Sequence, residues 1–216
     1  CTSTESAFLP LLTTATLKTD VTIPKETGGG NGNGGGEEQS EDGEKTIILD
    51  GGVVFKGGKE LCRVDDDGAM AIFFMNDTPS EYSFTVPLGQ NAKPSVMLIG
   101  VTRSIKATEY NGKVKFDVTF SASGKIGTKG GIKEDDKKAA EKVAEPAERE
   151  LKRKIESSMI PIAEKGCDVF GLENTLRRCC NRFYRENMDR VEEIIAESEI
   201  EVNVNIDIFS QGIGGA

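Results

Sequence analysis

The sequence predicts an α+β domain: an antiparallel or mixed β-sheet, two long C-terminal helices packed on one of its faces, and a terminal strand that returns to the sheet. Three observations carry this. Residues 200–208 alternate, with Ile200, Val202, Val204, Ile206 and Ile208 on one side and Glu201, Asn203, Asn205 and Asp207 on the other. Side chains alternate across a strand with period two, so this strand buries one face and wets the other. Residues 134–164 and 168–198 carry apolar residues at helical spacing. Between 82 and 122 lie three alternating runs, joined by connections too short for a parallel crossover.

Taken in order, residues 1–13 read as a leading segment, the end of a preceding domain, with an apolar patch from Phe8 to Leu12. The domain proper then spans 14–216. A strand is expected over 14–23. Residues 24–45 form a flexible Gly/Glu-rich loop, because GGGNGNGGG followed by EEQSEDGE has no apolar area to bury. Those glycines do not make a phosphate loop, since no Lys-Ser/Thr follows them and no helix begins there. The next strand, 46–55, is interrupted by Asp50-Gly51-Gly52, which signals a bend or bulge. A turn at Lys56–Lys59 leads to a short strand over 60–64. A helix over 65–75 follows, with aspartates at its positive end and Ala69, Ile72 and Phe73 as its apolar stripe.

The three alternating runs are strands over 82–88, 95–109 and 113–122. In the second, Val96 and Leu98 share one phase while Val101 and Ile105, beyond Gly100, take the other. Asn111-Gly112 is a strong hairpin signal between the second and third. Residues 124–131 read as a loop. The first long helix stacks Val143, Ala147, Leu151, Ile155 and Met159, and Pro146 and Pro161 are expected to kink or interrupt it. The second aligns Leu172, Leu176, Cys180, Phe183, Val191 and Ile194. Both stripes read as core. In the last strand, Val202, Val204 and Ile206 are expected to be buried and Asn203 and Asn205 exposed.

Composition narrows the function. A net charge of −9 argues against nucleic acid as a partner, which would need a basic surface. There is no histidine, so the commonest general base and catalytic metal ligand is missing. The five cysteines, Cys1, Cys62, Cys167, Cys179 and Cys180, are odd in number and form no CxxC, which suggests neither a disulfide framework nor a zinc ribbon. Cys180 reads as a core residue and Cys179 as lying at the edge of the buried stripe. Asp65-Asp66-Asp67-Gly68 opens like an EF-hand, but its twelfth position is Asn76 rather than Glu. No apolar run approaches the ~20 residues of a membrane span. These readings point to a non-catalytic binding or structural domain with no catalytic, cofactor-binding or metal residues and no cofactor.

Certain residues carry a family resemblance. Cys167-Asp168-Val169-Phe170-Gly171-Leu172-Glu173, then Phe183-Tyr184-Arg185-Glu186-Asn187, then the strand EVNVNIDI and Gly212 resemble the end of the C subunit of bacterial spore germinant receptors, the Ger(x)C lipoprotein family. Upstream, LPLL at 9–12 and IILDGGVVFKGGKELCRV at 47–64 are similar to an earlier segment of the same family, in the right order. The resemblance covers about residues 9 to 212. The chain departs from the pattern at Glu173, where the family has Gly, in the length of 24–45, and in lacking tryptophan near Phe183 and Met188.

The resemblance implies the C-terminal domain of a non-catalytic lipoprotein subunit that supports nutrient-triggered spore germination. The partners implied are the integral-membrane A and B subunits. The location implied is the outer face of the spore inner membrane, reached through a lipid anchor on the full-length protein. It also implies that Cys1 is a cut through a longer chain rather than a lipidated N-terminus. The competing reading is an extracytoplasmic ligand-binding lipoprotein domain of another system, which would carry a concave apolar pocket with convergent polar groups.

Overall fold

The structure, a computed structural model, describes residues 6–16, 45–89 and 92–209. Of the loop expected over 24–45, all but Lys45, which begins the second strand, lies outside the described residues, as do most of the strand expected over 14–23 and Gly212. The elements run β1 (Ser6–Thr16), β2 (Lys45–Lys56), β3 (Lys59–Val64), α1 (Asp66–Asn76), β4 (Glu81–Thr85), β5 (Ser95–Tyr110), β6 (Lys113–Thr128), α2 (Asp136–Ala163), α3 (Leu172–Cys179), α4 (Asn181–Glu186), a 3₁₀ turn at Met188–Arg190, α5 (Val191–Ala196) and β7 (Glu199–Ile208). The α+β class is as the sequence predicts. The strands form two sheets rather than one, ordered β1-β2-β3 and β4-β5-β6-β7.

The first strand starts earlier than expected. Ser6–Thr16 pairs antiparallel with β2, with Phe8 opposite Val54 and Pro10 opposite Gly52. Pro10 is compatible with a strand because β1 lies at the edge of its sheet. The Phe8 ring packs over Gly52, where a Cβ would stand 2.1 Å from it. The expected bulge falls at Asp50-Gly51, with Gly51 at φ 69°.

Helix α1 separates the sheets. Asp65 ends β3 and caps the helix, its Oδ1 accepting from Gly68 N at 2.9 Å. Ala69, Met70, Ala71, Ile72, Phe74 and Met75 are all buried, so α1 is apolar around most of its girth, as befits a helix enclosed in a core. It packs on β2 and β3 on one side and on α2 on another. Phe74 meets Tyr82 and Phe120 of the second sheet edge-on, at 5.1 and 5.7 Å between ring centroids. Phe73, expected in the stripe, is 53% exposed instead. Burial pushes the Tyr82 hydroxyl up to about 12, and the nearby Asp67 and Asp66 carboxylates add to this.

In the second sheet, β5 and β6 form the predicted hairpin, turning at Asn111 (φ 53°) and Gly112 (φ 77°). Gly100, at φ 63°, makes a bulge in which Gly100 and Val101 oppose one residue of β6. The bulge turns Val101 and Ala107 to the side that already holds Val96 and Leu98, so both phases of the sequence reach one core. Strand β6 continues to Thr128, through most of the stretch expected as a loop, because β5 pairs with it from Gly124 to Thr128.

β7 runs parallel to β6, the mixed form of the predicted sheet, with Val118 beside Val202 and Ala122 beside Ile206. Val202 and Ile206 are buried, Val204 half-buried, and Asn203 and Asn205 exposed, which is the predicted alternation. Lys115 of β6 pairs with Asp117, Glu199 and Glu201 on the wet face. On the outer edge of β7, Glu148 of α2 accepts from Ile206 N at 2.8 Å, so a helix side chain covers an otherwise open strand edge.

Helix α2 is uninterrupted from Asp136 to Ala163 despite Pro146 and Pro161. The carbonyls those prolines leave free belong to Lys142 and Ser157, which are both exposed, so water can serve both. The five predicted stripe residues of α2 are all buried. The second long helix is instead a chain of short ones, broken at Cys180 (φ −124°, ψ 51°) and Asn187 (φ −132°, ψ 25°). Its inner stripe still holds: Leu172, Leu176, Val191 and Ile194 are buried, and Cys180 and Phe183 pack against the core. Periodicity reports the buried face and is blind to a break that keeps it inward.

Removing β7 by truncation after Ser198 exposes the apolar faces of β6 and α2, and each lost core side chain is worth about 1.5–3 kcal/mol. Thermal unfolding followed by circular dichroism is expected to lose its cooperative transition. In the full chain, Glu148→Ala is expected to cost about 1–2 kcal/mol in urea unfolding, because the Ile206 amide loses its partner.

Candidate functional site

The residues that carry the family resemblance converge on one junction. Asp168 stands before α3, its Oδ1 accepting from Leu172 N at 2.7 Å and its Oδ2 from Glu173 N at 2.8 Å. One carboxylate thus serves two of the amides that a helix start leaves unpaired. Gly171 supplies the left-handed turn into α3 at φ 74°. Burial pushes the Asp168 carboxyl above its ordinary range, while the backbone amides it accepts from pull the other way.

Neighbouring elements fasten this turn. Asn76, at the end of α1, donates from Nδ2 to Val169 O at 2.6 Å and to Ile72 O at 3.0 Å. Cys167 is fully buried and its Sγ lies 3.5 Å from Ser6 Oγ of β1. Burial raises the Cys167 thiol, which suits a packed cysteine rather than a reactive one. Glu173, the departure from the family pattern, accepts from the Tyr184 hydroxyl at 2.8 Å. Two of the stretches that carry the resemblance are therefore bonded to each other, α3 to α4.

Beside this junction lies an open groove of about 410 Å³ between β1, the end of α1 and the 168–171 turn. Ser6, Phe8, Phe73, Asn76, Asp77 and Asp168 line it. Its size is within the range of ligand pockets. Its polar side chains are largely committed, however: both Asp168 oxygens and the Asn76 amide already bond backbone. Phe73 offers an apolar contact surface at its rim.

The other singled-out residues have structural employment. Asp65 caps α1, Asp66 Oδ1 accepts from Gly51 N at 2.9 Å, and Asp67 pairs with Lys154 of α2. The three acidic residues thus serve a cap, a bulge and a helix–helix tie. Cys180 is half-buried with its Sγ 3.5 Å from Ala107 O, and Cys179 is exposed, so both stand further out than the stripe suggests. Among the described residues no group of three His, Cys, Asp or Glu is placed to hold a metal ion, and no helix is long and apolar enough to cross a membrane. Sequence reasoning did not find the groove. The exposed aromatic at Phe73 is its only signal, and that position reads equally well as core.

The architecture defines an α+β domain in which a helical crossover ends on a parallel terminal strand and a D-x-x-G turn ties that crossover to α1 and to the first strand. Residues 50–212 match the family described as Spore germination B3/GerAC like, C-terminal, and the chain belongs to that family. No curated protein matches the chain. Among solved structures the fold is similar to the crystal structure of the GerBC protein, at 16% sequence identity and a TM-score of 0.67, over 79% of this chain and 54% of that one. The chain therefore spans about half the length of GerBC.

The junction yields a thermodynamic prediction. Because burial raises the Asp168 pKa in the folded state, its contribution to stability is greatest below its unfolded pKa of ~3.9 and is lost as pH rises through the higher folded value. The stability margin of the native chain over Asp168→Asn is thus expected to be larger at about pH 3 than at about pH 6. Urea unfolding of both proteins at the two pH values measures this, and a margin that grows with pH contradicts it. A double-mutant cycle of Glu173→Ala and Tyr184→Phe is expected to return about 1 kcal/mol of coupling.

Proposed function

We propose that this chain is the C-terminal domain of the C subunit of a nutrient germinant receptor. In this reading it is a non-catalytic domain that works through contacts with the integral-membrane A and B subunits. A lipid anchor on the full-length protein holds it at the outer face of the spore inner membrane. The observation that carries the reading is the family match over residues 50–212. The packing supports it: the titratable residues that drew notice in the sequence, Asp65, Asp66, Asp67 and Asp168, are engaged in caps and ties. Exposed Leu9, Leu11 and Phe73 offer apolar contact area to a protein partner.

The alternative, a ligand-binding lipoprotein domain, draws on the 410 Å³ groove. Its weakness is that the convergent polar groups a ligand would need are already bonded to backbone.

Deletion of the gene from a spore former without a paralogue is expected to abolish germination in response to the cognate nutrient, while a trigger that bypasses receptors still works. The A and B subunits are expected to co-purify with the tagged full-length protein from spore membranes. Normal nutrient germination after deletion overturns the reading. A nutrient that raises the melting temperature of the purified domain favours the alternative.

A further inference from the structure

The arginines of the broken helix have little to do in the fold. Residues 177–190 contain Arg177, Arg178, Arg182, Arg185 and Arg190 against Glu186 and Asp189, five positive charges to two negative, in a chain of net charge −9. Cys180 N bonds Leu176 O at 2.8 Å before the break and Tyr184 N bonds Cys180 O at 2.9 Å after it, and the inward stripe continues across the break. With Leu172, Leu176, Cys180 and Phe183 turned to the core, Arg178, Arg182 and Arg185 form a row three and four residues apart on the opposite side. All three are exposed, Arg182 to 92% of its side chain. Arg182 pairs with Glu186, whereas Arg178 and Arg185 make no ion pair among the described residues. Met188, 54% exposed, follows α4 in the 3₁₀ turn.

We propose that this arginine face is where the domain lies against an anionic lipid surface. The inference rests on the membrane placement proposed above for its biological setting, but the binding itself is a property of this surface. Guanidinium groups bind phosphate oxygens in a planar, two-pronged geometry. Here they are spread over the outside of two short helices instead of converging in a groove, which suits a plane of headgroups better than a shaped protein partner. Glu186 and Asp189 lie on the same segment, so the attraction is that of the local excess of arginine and falls as salt screens it. Each arginine near such a surface adds about a fivefold gain in partitioning. Three of them suffice for measurable binding at low salt, and at physiological salt they orient a protein that is already tethered.

The test is flotation of the purified chain with vesicles of phosphatidylglycerol or of phosphatidylcholine. At about 20 mM salt, binding to phosphatidylglycerol is expected to exceed that to phosphatidylcholine by about tenfold or more, and to vanish near 0.5 M salt. The triple variant Arg178→Glu, Arg182→Glu, Arg185→Glu is expected to fall to the phosphatidylcholine level with an unchanged melting temperature, since none of the three is buried. A control with the same change in net charge, Lys133→Glu, Lys137→Glu, Lys138→Glu at the exposed start of α2, is expected to bind like the native chain. No preference for phosphatidylglycerol, or equal losses in the two triple variants, overturns the proposal. Neither result bears on the receptor reading, which gene deletion tests separately.

Discussion

The parallel pairing of β6 with β7 is the constraint on which the rest of the domain depends. An antiparallel partner could have followed β6 through a short turn. A parallel one obliges the chain to return the length of the strand before it pairs, and α2 through α5 are that return. β7 has ten residues and α2 twenty-eight, about 33 Å of strand against about 42 Å of helix, so a single helix suffices for the distance. The broken helices that follow bring the chain back across β5 and β6 to the starting end of β7. The wet face keeps the register: Lys115 sits opposite Glu199 and beside Glu201, and a slip of one residue would turn Val202 and Ile206 into water.

Much of this was legible in the residues because burial leaves a period. The alternation of β7, the stripe of α2, the Asn111-Gly112 turn and the change of phase at Gly100 are local consequences of which side faces the core. What the residues did not reveal is relational. The alternation of β7 is the same whether its neighbour runs parallel or antiparallel. The division into two sheets depends on α1 being apolar on most sides, which in sequence resembles an ordinary one-faced helix. The first strand was placed late because residues 1–13 read as the end of a preceding domain, and its tolerance of Pro10 depends on β1 being an edge, a fact of assembly rather than of composition.

The junction around Asp168 shows the same division. The D-x-x-G motif was recognisable as a string, and its resemblance named the family. Its physical role emerges only when Asn76, Ser6 and Tyr184 arrive from distant parts of the chain. Asp168 caps a helix, Gly171 turns into it, and Asn76 bonds the turn from another element. The motif is a fastening between the crossover, α1 and the first strand. A substitution there would act first on the fold and only through it on any partner.

The bulge at Gly100 has a consequence for how the length of this domain can vary. Val96 and Leu98 precede it and Val101 and Ala107 follow it, all facing the same core. If Gly100 were absent, simple alternation would carry Leu98 inward, Ile99 outward and Val101 inward again, leaving every side chain on its present face. Gly100 is therefore a supernumerary residue within a sixteen-residue strand, contributing local twist and bend without changing which residues meet the core. Relatives that differ here by a single-residue gap would retain the same interior, and a sequence comparison that penalised that gap as a disruption of the strand would misjudge their kinship.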